Sequence, residues 1–558
     1  MSAIPAGRLG HGHPWRLALV ALAAAAALVA VLATRGHSRA APPPPVHTVG
    51  RTPASQQIHL TLTLQLPGRP ALKRFMRALQ DPHSPSFQHY ITPQAFGARY
   101  GIAASAVAAL ERRLRAAGMT VTRSYPQRTA LELRATAGQV ERTFHVRLAD
   151  YVDRHGRRFH APLDRPTVPR DMRAAVSGVA GLDTRPLEPE AVPSGGLKPT
   201  DATLAYDIKP LYDAGIKGQG QTVALVAYSA FPDDDVAGFM QQFGLGGPTP
   251  QHVEVQGGAN TSDNEDEATL DVEMVKGIAP EAQILNYEVP EDLPLKVGPV
   301  IDQIVSDHRA DIVSISYGLC ELQYSPADIQ NDEQAIEAGD ATGVTVFASS
   351  GDQGAYECQR IDPADHRLSV PWPAGSPGVV SVGGTRLILG ADGSYRKEQG
   401  WEDALSMGGG GGGLSAIESR PTWQSALGVQ NQYSDGHRQV PDVSADSDLD
   451  TGWAIYYQGQ STTVGGTSAA SPFWAASTAL MRQYANSQGV SKLGYVNPAL
   501  YHIASATQPY QPFHDVTEGG NRYYQATTGW DYVGGLGTPD VWNLARDLSN
   551  YLKSQPGH

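Results

Sequence analysis

Two short apolar runs constrain the fold of this 558-residue chain more than any other feature. Asp311-Ile312-Val313-Ser314-Ile315-Ser316-Tyr317-Gly318 reads as a buried strand that ends in a turn. So does Val344-Thr345-Val346-Phe347-Ala348-Ser349-Ser350-Gly351-Asp352-Gln353-Gly354, with a helix-like stretch from Asp332 to Ala341 just before it. Strand, helix and strand in that order predict an α/β domain with a central parallel sheet. Functional residues of such sheets gather at the carboxyl ends of the strands, and Asp352 falls at one of them.

A second segment carries a candidate nucleophile. Gly465-Gly466-Thr467-Ser468-Ala469-Ala470-Ser471-Pro472 places one serine among small residues at a loop-to-helix junction, with Pro472 suited to the first turn of the helix. Small neighbours let a carbonyl approach, and the Ser468 amide can face a developing oxyanion. A serine hydroxyl still needs a base. A histidine base of the subtilisin kind would sit in a His-Gly-Thr segment, which this sequence lacks; its histidines beyond the first third lie in ordinary polar or turn-like surroundings.

A carboxylate is the alternative, and Asp263-Asn264-Glu265-Asp266-Glu267-Ala268-Thr269-Leu270-Asp271-Val272-Glu273-Met274-Val275 is dense in them. Asn264 or Asp266 can cap a helix here, and Leu270, Met274 and Val275 form its apolar stripe. Glu267 and Asp271 then share a face one turn apart. Two carboxyls held that close share a proton, which leaves one of them able to act as base or acid. Taken alone, the cluster also suits an acidic first turn favoured by the helix dipole.

Glu267-x-x-Leu270-Asp271, Ser349-Ser350-Gly351-Asp352-x-Gly354 and Gly466-Thr467-Ser468-Ala469-x-x-Pro472, in that order, resemble the sedolisin family of serine-carboxyl peptidases. The resemblance implies a subtilisin-like catalytic domain, a cleavable prodomain, endopeptidase activity at acid pH and one bound calcium ion. It makes Ser468 the nucleophile, Glu267 the general base, Asp271 the residue that orients it, and Asp352 the oxyanion partner. Calcium would be held by the carboxylates of Asp515 and Asp531 and the carbonyls of Val516, Thr527 and Gly529. Thr527 stands where a glycine is commoner, a change that a carbonyl ligand tolerates. A histidine-dependent subtilase and a catalytically inactive exported binding relative are the competing functions. The intact quartet Ser468, Glu267, Asp271 and Asp352 speaks against the second.

The amino-terminal part fits an exported zymogen. Arg8 and Arg16 precede an apolar, alanine-heavy run from Leu17 to Ala33, so residues 1–41 read as a signal peptide, or as an uncleaved membrane anchor. The chain is therefore expected to be secreted or periplasmic, with that tether as its one membrane contact. Residues 53–185, which include Asp81-Pro82-His83-Ser84-Pro85-Ser86-Phe87-Gln88-His89-Tyr90-Ile91-Thr92-Pro93, resemble kumamolisin-type activation domains, implying an α+β ferredoxin-like fold that inhibits the enzyme intramolecularly. Residues 186–199, with four prolines and two glycines, read as a cleavable linker, and 200–556 as the peptidase domain.

Charge divides the chain at the same place. Residues 1–199 hold 26 Lys and Arg against 11 Asp and Glu; residues 200–558 hold 17 against 45, for an overall charge of −13. The arginines are scattered, with no aromatic interleaving or nucleic-acid-binding module, so nucleic acid is not a partner and attraction between the two domains is the simpler account. The partners expected are peptide or protein substrates and the chain's own prodomain, acting on a monomer. Cys320 and Cys358 form an isolated pair for which a disulfide is the default on export. Tyr317 is a candidate for shaping the substrate cleft, and the six glycines Gly408 to Gly413 read as a flexible surface loop.

Overall fold

The structure, a computed structural model, describes residues 47–153, 156–186, 188–189, 192–193, 196–290, 296–403 and 408–554. The expected signal peptide or anchor at 1–41 and part of the 186–199 linker lie outside them. Among the described residues, no helix is long and apolar enough to cross a membrane. The chain forms two compact units. In the smaller, the described residues are His47, Val152, Asp153, Gly156 and Arg157, and Arg157 Nε donates to Asp153 Oδ2 at 2.8 Å. The larger comprises Thr48–Tyr151 and Arg158–His558.

Within the larger unit the first sheet is built from β1 (Gln57–Leu64), β2 (Thr120–Ser124), β3 (Ala130–Thr136) and β4 (Val176–Ala180). Its order is β2-β3-β1-β4, antiparallel throughout. Helices α1 (Arg69–Gln80), α2 (Ala104–Ala116) and α3 (Ala137–Phe144) accompany it. The fold is α+β and ferredoxin-like. Alternate residues of β1, Ile58, Leu60, Leu62 and Leu64, enter its core with Leu110, Leu114, Val140 and Phe144.

The second sheet follows the expected strand-helix alternation. Strands β5 (Thr222–Ala227), β6 (Gln251–Glu254), β7 (Gln283–Glu288), β8 (Ile312–Ile315), β9 (Tyr317–Cys320), β10 (Thr345–Ser349), β11 (Val379–Leu389), β12 (Tyr395–Gly400) and β13 (Val443–Asp446) are the ones that matter here. The sheet runs β6-β7-β5-β8-β10-β11-β12, with β13 also paired to β11; all its pairs are parallel except β11 with β12. Helices α4 (Glu265–Ile278), α5 (Val297–Asp307), α6 (Pro326–Thr342), α7 (Thr467–Ser487) and α8 (Val541–Lys553) cover it. One core joins Leu225 and Phe347 to Leu270, Phe473 and Leu480; the other joins Val226 and Val346 to Ile301, Ile304 and Ile336. Sheet strands buried on both faces explain why β8 and β10 read as continuous apolar runs. Cys320 and Cys358 are bridged, with Cα atoms 4.9 Å apart.

The two sheets meet through α5 and α6. Gln127 Nε2 donates to Asp302 Oδ1 (2.8 Å) and Thr129 Oγ1 to the same oxygen (2.6 Å), Gln334 Nε2 donates to the carbonyls of Leu64 and Thr129, and Gly181 N donates to Asp328 Oδ1 (2.8 Å). Among the described residues a single ion pair spans this contact, Arg69 Nη2 with Glu337 Oε1 at 3.1 Å. Hydrogen bonds and packing make most of this contact, and the charge asymmetry of the sequence is expressed in it by that one ion pair.

Candidate active site

Helix α4 delivers the acidic pair. Asn264 is its N-cap, and from Glu267 to Ile278 every side chain is buried. Glu267 and Asp271, one turn apart, are both 0% exposed. Burial pushes both carboxyls well above the ordinary range; for Glu267 the charge of Asp271 adds to it, and the nearby Ser468 hydroxyl pulls the other way. Ser316, in the turn between β8 and β9, lies with Oγ 2.6 Å from Asp271 Oδ1 and 3.2 Å from Ser468 O. Its single proton goes to the shorter contact. The pair therefore holds at least one proton and is aimed at one hydroxyl.

That hydroxyl sits in the first turn of α7. Gly466 caps the helix at φ 106°, a value open to glycine, and Thr467 begins it. Pro472 lies deeper than the first turn expected for it, inside the helix. A proline there lacks the N–H that would bond the carbonyl four residues back, which is that of Ser468. Ser316 Oγ lies 3.2 Å from that carbonyl, with its proton directed to Asp271. Ser468 Oγ lies 3.4 Å from Ser316 O, a weak contact, and the Glu267 carboxyl, neither of whose oxygens has a hydrogen-bond partner among the described residues, is close enough to act on the same hydroxyl.

Asp352 follows β10 and meets the same helix end. Thr467 donates to Asp352 Oδ1 twice, from N at 2.8 Å and from Oγ1 at 2.9 Å, and Gly351 N donates to Thr467 Oγ1 at 3.1 Å. Burial lifts the Asp352 carboxyl to about 7, against which the two Thr467 bonds work. Glu357, buried one turn on, is lifted further by burial and by the Asp352 charge. A carboxyl of this kind stays protonated in acid and can donate its free Oδ–H to an incoming negative oxygen.

The glycine run overturns its sequence reading. Gly409 through Gly413 are buried, and the backbone runs extended along the Asp352 loop: Gly409 N donates to Asp352 O (2.9 Å), Gly411 N to Gly351 O (2.7 Å), Gly354 N to Gly409 O (2.8 Å), and Ser350 Oγ to Gly411 O (2.7 Å). A Cβ on Gly411 would fall 1.6 Å from Ser350 O, and one on Gly412 2.0 Å from Tyr532 O. The glycines serve close backbone packing, not flexibility.

Two pieces of the linker cross this place. Glu188–Pro189 pairs antiparallel with Tyr317–Gly318, and Val192–Pro193 pairs antiparallel with Val464–Gly465, three residues before Ser468. Tyr317, 1% exposed, packs edge-on against Tyr228 with ring centroids 5.0 Å apart. The carboxylates of Glu267 and Asp271 act on its hydroxyl.

The expected cation ligands also lie together. Burial and the Asp515 charge raise Asp531 to about 6. Asp531 accepts the amides of Thr527 (2.5 Å), Val533 (2.8 Å) and Gly534 (2.8 Å), and Asp515 Oδ2 that of Gly529 (2.9 Å). No described hydrogen bond ends on the carbonyls of Val516, Thr527 or Gly529. Among the described residues, no three His, Cys, Asp or Glu side chains form a metal cluster, so an ion here would draw on those carbonyls and water. Two adjacent carboxylates and free carbonyls, all oxygen, fit a hard cation such as calcium.

Comparison with known proteins places these features. Residues 45–185 match the family described as "Pro-kumamolisin, activation domain", and residues 254–508 the "Subtilase family". Kumamolisin of Bacillus sp. (strain MN-32) is 30% identical over 538 residues, covering 90% of this chain and 94% of the relative. Sedolisin of Pseudomonas sp. (strain 101) is 30% identical, covering 90% and 88%. Among solved structures, a Pseudomonas sedolisin, described as a serine-carboxyl proteinase complexed with pseudo-iodotyrostatin, is 31% identical with a TM-score of 0.57, covering 65% of this chain and all of that one.

Proposed function

The chain belongs to the sedolisin family of serine-carboxyl peptidases, with a kumamolisin-type activation domain, and from that premise we propose that it is an exported zymogen that cuts peptide bonds in acid through Ser468, Glu267, Asp271 and Asp352. Ser468 Oγ attacks the substrate carbonyl carbon while its proton passes to Glu267. The carbonyl oxygen becomes an oxyanion that accepts a hydrogen bond from protonated Asp352 and from the Ser468 amide. Collapse breaks the C–N bond, the proton on Glu267 goes to the leaving amine, and an acyl-enzyme remains. Water, deprotonated by Glu267, then releases the acid and restores the serine.

The observation that carries this function is the convergence of a buried carboxyl pair and a protonated aspartate on one serine. Acid suits Asp352, which keeps its proton below about pH 7, and the Glu267–Asp271 pair acts as base in the state that has lost one of its two protons. Asp271 accepts from Ser316 and holds the pair in register, so its part is orientation. The reading as an inactive relative has no site observation in its favour.

Maturation follows from the linker. Its residues 188–189 pair with Tyr317–Gly318, next to Ser316, and 192–193 pair with Val464–Gly465, three residues before Ser468, so the stretch between them runs from one strand bordering the serine to the other. The first bond cut is therefore assigned to the stretch between Pro189 and Val192, within the 186–199 linker, and the released 53–185 domain is the intramolecular inhibitor. One calcium ion is assigned to Asp515, Val516, Thr527, Gly529 and Asp531. When bound it supplies positive charge that offsets the two aspartates and ties the loop they bracket. Incubating the purified zymogen at pH 3 to 5 with a denatured protein, then sequencing the new amino terminus and the products, tests the proposal. An uncleaved zymogen and intact substrate would overturn it.

A further inference from the structure

The loop between Asp515 and Asp531 reaches back to the reaction site through its tip. Asn521 Nδ2 donates to Tyr532 O at 2.9 Å, and the Asn521 carbonyl accepts from Ala355 N at 3.0 Å. The next residue, Arg522, has φ 74°, a left-handed value that a side chain with a Cβ adopts at a cost. That conformation sends the guanidinium across the loop following Asp352. Nη1 donates to Gln353 O (2.9 Å), Nη2 donates to Gln359 Oε1 (2.6 Å), and the Tyr356 ring faces the guanidinium with its centroid 5.4 Å from Cζ. The aliphatic stem lies over two glycines: a Cβ on Gly354 would be 3.1 Å from Arg522 Cδ, and one on Gly409 3.6 Å from its Cγ.

Gln353 is the neighbour of Asp352, and Gly409 N is bonded to Asp352 O. One half-buried side chain therefore pins the two backbone strands that flank the aspartate. We propose that Arg522 is a positioning residue for Asp352, fixing the Gln353 carbonyl and roofing Gly354 and Gly409 so that the Asp352 carboxyl stays dry and aimed beside Thr467. The proposal rests on the oxyanion role given to Asp352 above. The charged groups that bear on Asp352 are Glu267 from α4 and Glu357 from the next turn, the latter paired with Arg360 Nε at 3.2 Å. Arg522 itself meets the Gln353 carbonyl, the Gln359 side chain and the Tyr356 ring, and lies near Glu402. With acidic neighbours and burial both favouring the proton, admission of water is the change that would release it.

The test uses the self-matured enzyme from full-length chains carrying Arg522→Met, Arg522→Lys or Asp352→Asn. For Arg522→Met, kcat should fall roughly ten- to a hundredfold with KM unchanged, as expected for a displaced catalytic group. Its alkaline limb should move toward lower pH by about one unit, because a wetter Asp352 loses its proton earlier. Arg522→Lys keeps the stem and one donor, so it should lie between the two; it supplies the same readout if the methionine variant does not accumulate. A wild-type kcat and alkaline limb in Arg522→Met, or a lower melting temperature with an unmoved limb, would overturn the proposal. If instead Asp352→Asn shows the wild-type limb, the oxyanion role itself fails, which is a separate outcome.

Discussion

Replacing Asp352 by asparagine separates the protonation of this residue from its shape. In the folded chain the carboxyl titrates at about 7, against an ordinary 3.8. Folding therefore favours the protonated form; the associated stability is fully present below pH 3.8 and is lost as the pH rises through 7. Between pH 3 and pH 8 this one group costs about 4 kcal/mol of stability. Asparagine keeps the oxygen that accepts from Thr467 N and Oγ1 and offers a permanent donor where the acid had its proton. Its unfolding free energy should lack that fall, so the variant should gain on wild type by about 4 kcal/mol between pH 3 and pH 8. The same titration acts on turnover. At pH 8 only about a tenth of the wild-type enzyme retains the Asp352 proton, so kcat should fall about tenfold there and the asparagine variant should not share that fall. Asp352→Ala, with no donor, should lose about 10²–10³ in kcat at every pH. Denaturant melts and kcat profiles from pH 3 to 8 on all three proteins provide the comparison. Parallel wild-type and asparagine curves in both measurements would refute a buried, protonated Asp352.

Two further outcomes follow from the geometry. Calcium at one hundred times its Kd should stabilise the enzyme by about 2.7 kcal/mol, so a chelator should lower the melting temperature, and Asp531→Ala should abolish that calcium dependence; equal wild-type melting with and without chelator would remove the ion from the account. Gly411→Ala sets a Cβ 1.6 Å from Ser350 O, which should cost at least about 3 kcal/mol and most of the activity; an alanine variant with wild-type stability in denaturant would show that the glycine segment is not packed on the Asp352 loop.

The parts of the site that lie within a few residues of each other were legible in the sequence. The shared face of Glu267 and Asp271 follows from helical spacing, and the place of Asp352 from the end of a strand whose apolar run marked it as buried; their roles were read from three motifs in order, not from spacing. Ser468 was legible because its small neighbours are contiguous with it. What escaped depends on contacts between distant segments. Gly408 to Gly413 has the composition of a flexible loop, and only docking against Ser350 to Gly354, some 60 residues away, makes it a packed extended segment, buried from Gly409 on. Pro472 looks like a first-turn proline until the helix is seen to start at Thr467, which puts it deeper, where it leaves the Ser468 carbonyl without a helical N–H. Arg522 has no local signature, since its partners at Gln353 and Gln359 are more than 160 residues earlier. The linker composition predicted an extended chain, yet the strands that receive it, at Tyr317 and Val464, were not legible in the linker itself.

Ser468→Ala in the full-length zymogen gives the most direct measurement, because maturation and catalysis are assigned to the same hydroxyl. Wild-type and variant zymogens are held at pH 4, and intact mass and amino-terminal sequence are followed over time. The wild-type chain should be cut between Pro189 and Val192, while the folded variant should remain full length. A variant that yields the same mature amino terminus at the wild-type rate would contradict Ser468 as the nucleophile.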